Sequence, residues 1–147
     1  MATTNASITI SSSDILQGQV VSMYCNSTLK QAGTNTGIEE TTGLGMKVIN
    51  STSPVLIIDD SDDAFGDPSG NLACKLYMKN TGSSRTQYLT VTIDGDELGR
   101  LYGGDFLFIP YKEGTTGDAP FNSGSGDVSV TASTDEKVIV EYMVFVG

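Results

Sequence analysis

The sequence has no histidine and no tryptophan, and only two cysteines and four prolines in 147 residues. Without histidine it can form no Ser-His-Asp or Cys-His triad and no histidine-ligated zinc, and it lacks the commonest general base at neutral pH. Cys25 and Cys74 alone cannot complete a structural zinc site. Both sit in strand-like apolar contexts, which predicts two buried thiols behaving as small hydrophobes rather than a disulfide. Basic residues are also scarce: 8 lysines and arginines against 18 acidic residues leave a formal net charge of −10. Nucleic acid and anionic membrane surfaces both select a basic footprint, so neither is an expected partner. No apolar run reaches the length of a membrane-spanning helix. The start MATTNASITISSS has no basic segment followed by an apolar one, so no signal peptide is expected. The Gly-rich pieces lack the Gly-Lys-Ser/Thr ending of a phosphate-binding loop. A paired-carboxylate hydrolase has acid groups to draw on, but little aromatic surface to line a sugar cleft. No enzymatic activity is expected.

What is present is β-strand patterning, densest from Leu72 to Tyr111. Leu72, Cys74, Leu76 and Met78 point to one side of a strand, with Lys75 and Lys79 opposite. Asn80 to Thr86 is polar, holds Gly82 and two serines, and reads as a loop. Leu89, Val91 and Ile93 alternate with Tyr88, Thr90 and Thr92, as in a half-buried strand. Asp94-Gly95 follows at once, a strong hairpin signal because both central residues of a type I′ turn need positive φ. Leu98, Gly99 and Leu101 fit the return strand, which Gly103-Gly104 ends. Phe106 to Ile109 is apolar on both faces, which predicts a central strand buried twice or one half covered by another subunit. Pro110 should end its pairing on one side.

Elsewhere the chain reads as short strands between polar, Gly-rich loops. Met1 to Ser13 holds only Ile8 and Ile10 as large apolar residues. It reads either as a loose polar arm or as a first edge strand. Gln19 to Ser27, Leu44 to Ile49, Val55 to Ile58 and Asp127 to Ala132 are strands, and at most a helical turn is expected near Ser13 to Gln17. Lys30 to Thr42 and Lys112 to Gly126 are long loops. Lys137 to Gly147 is apolar on both faces except at Glu141, so it should be a central strand. About eight or nine strands joined by turns predict an all-β fold, a two-sheet β-sandwich of jelly-roll type, with a smaller barrel with long loops as the alternative. A single domain over 14–147 preceded by an arm over 1–13 is the expected organisation.

The most acidic stretch, DDSDDAFGDPSGN, offers Asp59, Asp60, Asp62, Asp63 and Asp67 as oxygen donors for calcium. Its spacing lacks the glycine at the sixth position and the closing glutamate of an EF-hand loop, and like charges in a loop are ordinarily solvated. No cofactor is therefore expected, with calcium as the alternative. Arg85 and Arg100 flank the central hairpin and could meet carboxylates of a neighbouring subunit, or pair within their own chain. Tyr102, Phe106, Phe108 and Tyr111 read as core or subunit interface rather than as a ligand platform.

The segment YMKNTGSSRTQYLTVTIDGDELGRLYGGDFLFIPY resembles one found in small structural proteins of tailed bacteriophages, especially marine and cyanobacterial phages. The likeness lies in Tyr77 to Thr81, Leu98 to Gly104 and Phe106 to Pro110, and it spans about a quarter of the chain. The resemblance implies a β-sandwich module that decorates or cements the capsid, or sits in the neck, tail or fibres. It names no catalytic residues. The expected function is a non-enzymatic virion protein, assembled in the host cytoplasm, that clamps neighbouring major capsid subunits. Its partners would be the major capsid protein or other virion proteins, and further copies of itself, a trimer being favoured. The alternatives are a tail, neck or fibre module that binds a receptor or glycan, and a calcium-dependent carbohydrate-binding sandwich. The candidate interface residues are Ile8, Ile10, Arg85, Arg100, Tyr102 and Phe106.

Overall fold

The computed structural model describes residues 3–16, 18–30, 35–38, 40–59, 66–67, 71–110 and 127–146. These residues form twelve strands and no helix. The chain divides into two compact units, Met1–Glu39 and Glu40–Gly147. The division expected after Ser13 runs through the first strand instead, because that strand's hydrogen-bonding partner lies in the next stretch of sequence.

The N-terminal unit is a hairpin of β1 (Thr4–Leu16) and β2 (Gln19–Leu29), turning at Gly18 with a φ of 87°. The segment that read as either an arm or an edge strand is thus a strand, and it runs on to Leu16, where a helical turn was expected. Beyond it, Lys30 bridges to Gly37, and Leu29 and Ile38 are buried. Cys25 is exposed, not buried as expected. Its apolar neighbours mark one face of a strand, but a two-stranded hairpin has no second layer to cover that face. The Cys74 side chain lies outside the described residues.

The C-terminal unit is a β-sandwich. One sheet runs β10 (Phe106–Pro110), β7 (Asn71–Asn80), β12 (Val138–Val146), β4 (Gly45–Ile49). It is lengthened by the two-residue strands β3 (Glu40–Thr41) beside β12 and β6 (Gly66–Asp67) beside β7. The other sheet runs β5 (Val55–Ile58), β11 (Val128–Ala132), β8 (Tyr88–Ile93), β9 (Asp96–Tyr102). Every pairing is antiparallel, and the eight longer strands pair in a nested way. The first joins the last (β4 with β12), the second the seventh (β5 with β11), the third the sixth (β7 with β10), and the fourth the fifth (β8 with β9). Only the innermost pair is a tight hairpin. Its turn is Asp94-Gly95, with φ values of 52° and 85°, which is the predicted backbone.

Alternation places the core between the sheets. In β8 and β11 every second residue is buried: Leu89, Val91 and Ile93, and Val128, Val130 and Ala132. They meet Leu76 and Met78 of β7, Val138, Val140 and Val144 of β12, and Ile49, Ile57 and Ile58. The predicted central position of Lys137 to Gly147 holds: β12 has β7 on one side and β3 and β4 on the other. The twice-buried strand predicted at Phe106 to Ile109 does not. Among the described residues β10 pairs only with β7, so it is an edge strand, and Phe106 is 57% exposed. Leu107 and Ile109 pack on the core while Phe106 and Phe108 take the opposite face.

Candidate interaction surface

The two sheets turn different chemistry outward. On the β10-β7-β12-β4 sheet, the residues that alternate with the core set are Phe106 and Phe108, Lys75, Tyr77 and Lys79, Ile139, Glu141, Met143 and Phe145, and Met46 and Val48. Phe108 meets Phe145 edge-on with ring centroids 6.1 Å apart. Met46 is 64% and Val48 47% exposed. The Tyr77 hydroxyl donates to Glu141 Oε1 at 2.8 Å across the β7–β12 pair. Burial, followed by the hydrogen bond and the charge of Glu141, pushes that hydroxyl from 10.0 up to about 12. This face is mainly apolar, with three phenylalanines among its side chains, and it also carries the Tyr77–Glu141 pair and two lysines, Lys75 and Lys79.

The β5-β11-β8-β9 sheet turns out Tyr88, Thr90 and Thr92, Ser129 and Thr131, and Arg100 and Tyr102. The rings of Tyr88 and Tyr102 lie 5.3 Å apart, and the Arg100 guanidinium stacks 4.7 Å above Tyr88. Glu97 holds the same arginine at 3.3 Å. The rest of this face is mainly hydroxyl, with Leu56, 37% exposed, opposite Ser129.

Asn80 joins the two sheets. It is 1% exposed, donates Nδ2–H to the Leu101 carbonyl at 2.9 Å and accepts from the Gly82 amide at 2.9 Å. Beside it Gly103 lies so close to the β7–β8 loop that a Cβ there would sit 2.5 Å from the Ser84 carbonyl. A cleft of about 310 Å³ opens here, lined by Asn80, Thr81, Ser84, Gln87, Lys137 and Ile139. Its hydroxyls are engaged internally: Thr81 Oγ1 donates to the Ile139 carbonyl, and Ser84 Oγ accepts from the Gln87 amide. These bonds orient the loop.

The predicted interface residues occupy separate places. Arg100 and Tyr102 come together, with Tyr88, on the hydroxyl-rich face. Phe106 lies on the aromatic face, Arg85 is exposed in the β7–β8 loop, and Ile8 and Ile10 lie on β1. Sequence reading missed Met46, Val48, Tyr77 and Met143. For Met143 the signal lies in the sequence, since Lys137 to Gly147 is apolar on both faces except at Glu141, a pattern that equally fits a strand covered on both sides. Of the acidic run, Asp59 is half-buried, and Asp60, Asp62 and Asp63 lie outside the described residues, as does the side chain of Asp67. Tyr111 and the whole loop Lys112 to Gly126 also lie outside them. No protein-family model and no curated protein matches this chain.

Proposed function

We propose that this protein is a non-enzymatic structural component of a phage particle, a decoration or cement protein that docks on the capsid exterior. The observation that carries this reading is the outward aromatic face of the β10-β7-β12-β4 sheet. An exposed apolar patch of this kind suits protein–protein contact rather than a soluble substrate. We read the nested strand pairing as a jelly roll, an architecture used by viral capsid and lectin domains alike. The likeness of Tyr77 to Tyr111 to phage structural proteins favours the first of these. Bound side by side in many copies, modest contacts add up to a durable joint through avidity.

The test is to mix the purified protein with phage heads lacking it, with intact tails and with host cells, and to count bound copies. Saturable binding to heads in high copy number, with greater resistance of the heads to heat, is the expected result. Binding confined to tails or to host cells would sink the decoration role and promote the receptor-binding alternative.

A further inference from the structure

We propose that the cleft between the β7–β8 loop and the start of β12 is a binding site for a small ligand bearing an oxyanion, a carboxylate or a phosphate. This goes beyond the capsid-docking role and stands or falls separately from it. The cleft is lined by the sandwich unit alone, from the end of β7, the β7–β8 loop, Gly103 and the stretch that opens β12. Its volume of about 310 Å³ lies at the lower end of the ~300–1,000 Å³ usual for ligand pockets. The chain itself holds the shape. The Thr81 amide and Thr81 Oγ1 both donate to the Ile139 carbonyl at 3.0 Å. The Gly103 amide donates to the Ser84 carbonyl at 2.9 Å, and buried Asn80 accepts from the Gly82 amide. A ligand therefore has no loop to order on arrival.

Charge selects the ligand. Among the described residues, Lys79, Arg85 and Lys137 make no hydrogen bond or ion pair. All three belong to this corner of the sandwich. Lys137 lines the cleft, Arg85 stands in the loop between the lining residues Ser84 and Gln87, and Lys79 directly precedes the lining residue Asn80. The other described cations are engaged: Lys47 by the Leu56 carbonyl, Arg100 by Glu97 and Tyr88, Lys30 by Asn35, and Lys75 as well. No carboxylate lines the cleft. The acids nearest to it in sequence are held elsewhere. Glu136 accepts from Gln87 Nε2, Asp135 from the Thr52 amide and Asp105 from the Tyr102 amide. Glu141, opposite Lys79 in register, accepts from the Tyr77 hydroxyl. The chain's net charge of −10 repels anions at a distance, so the attraction is local, within the roughly 10 Å that salt leaves unscreened.

The neutral groups narrow the choice further. Thr81 Oγ1 has given its proton to Ile139, Ser84 Oγ accepts from the Thr86 and Gln87 amides, and Asn80 is bonded through both ends of its amide. A neutral sugar would find few free donors here, whereas an oxyanion has the three donors of the Lys137 ammonium and two further cations beside it. Val138 and Ile139 add hydrocarbon to the wall, which suits the carbon skeleton of a small acid.

The experiment is a titration of the full chain, followed amide by amide by nuclear magnetic resonance, with glucuronate, a hexose phosphate and glucose. The first carries a carboxylate, the second a phosphate and the third no charge on a similar ring. At least one of the two acids should bind saturably, with a Kd on the order of 1 mM, and glucose at least tenfold more weakly. The tighter acid identifies the oxyanion. The shifts should gather at Gly82, Ser84, Gln87 and Ile139, and added salt should weaken the binding. Lys137→Gln should lower the affinity at least fivefold. Lys47→Gln removes the same charge outside the cleft and should leave the affinity unchanged. No saturable binding of either acid, glucose binding as tightly as the acids, or equal losses from the two substitutions would overturn the proposal. Shifts spread over the lysines at large, with none gathered at the cleft, would also overturn it. Head binding without acid binding sinks this proposal alone; acid binding without head binding sinks only the capsid role.

Discussion

The two outer faces of the sandwich arise from one rule and reach opposite chemistry. In β8 and β11 the alternation is clean, with aliphatic residues inward and threonine, serine and tyrosine outward, so that face is finished by water. In β7, β10 and β12 the inward set is equally aliphatic, but the outward set includes Tyr77, Phe106, Phe108, Ile139, Met143 and Phe145 beside the charged Lys75, Lys79 and Glu141. A strand needs only one apolar face to join a sandwich. The apolar side chains of that second face therefore add nothing to the core, and they are the observation on which the proposed docking role rests.

The largest effect should come from breaking what both faces share. Asn80→Ala removes a buried donor and a buried acceptor and leaves the Leu101 carbonyl and the Gly82 amide without them. A loss of about 2–4 kcal/mol is expected, read as a lower urea midpoint at unchanged slope. Next, the faces should separate in binding. Phe106→Asp should lower the occupancy of phage heads tenfold or more, while Thr90→Asp on the opposite face leaves it unchanged. Equal effects from the two would erase the distinction drawn here.

The aromatic face also has a titration of its own. The folded-state pKa of Tyr77 lies above its unfolded value of 10.0. The stability contributed by the neutral hydroxyl is therefore intact below about pH 10 and is lost as the pH climbs towards about 12. Melting curves of the wild type and Tyr77→Phe should accordingly converge over that range. The smallest effect belongs to the hydroxyl-rich face. Arg100→Ala removes an exposed stack on Tyr88 and an exposed ion pair, and should leave the melting temperature nearly unchanged.

Strand existence was legible wherever the alternation was local. Tyr88 to Ile93, the Asp94-Gly95 turn and Asp127 to Ala132 appear in the structure as the residues predict. Where a run was apolar on both faces, reading failed selectively. Lys137 to Gly147 and Phe106 to Ile109 look alike in sequence, yet one is central and the other an edge strand. The difference lies in their neighbours and is not written in either run. The same holds for Gln19 to Ser27: it announces a strand correctly but says nothing about what covers it, and Cys25 is exposed as a result.

By itself the sequence determined the all-β class, the sandwich, the tight central turn and the exclusion of histidine-based chemistry, because these follow from residue type and from a period of two along the chain. Only the tertiary structure decided the nested strand order, the edge position of Phe106 to Ile109, the junction at Asn80 and the pairing of Thr4–Leu16 with Gln19–Leu29 as a hairpin. Those depend on hydrogen bonds between segments far apart in sequence, such as β4 with β12. Many registers satisfy the same alternation, and burial on one shared core selects among them.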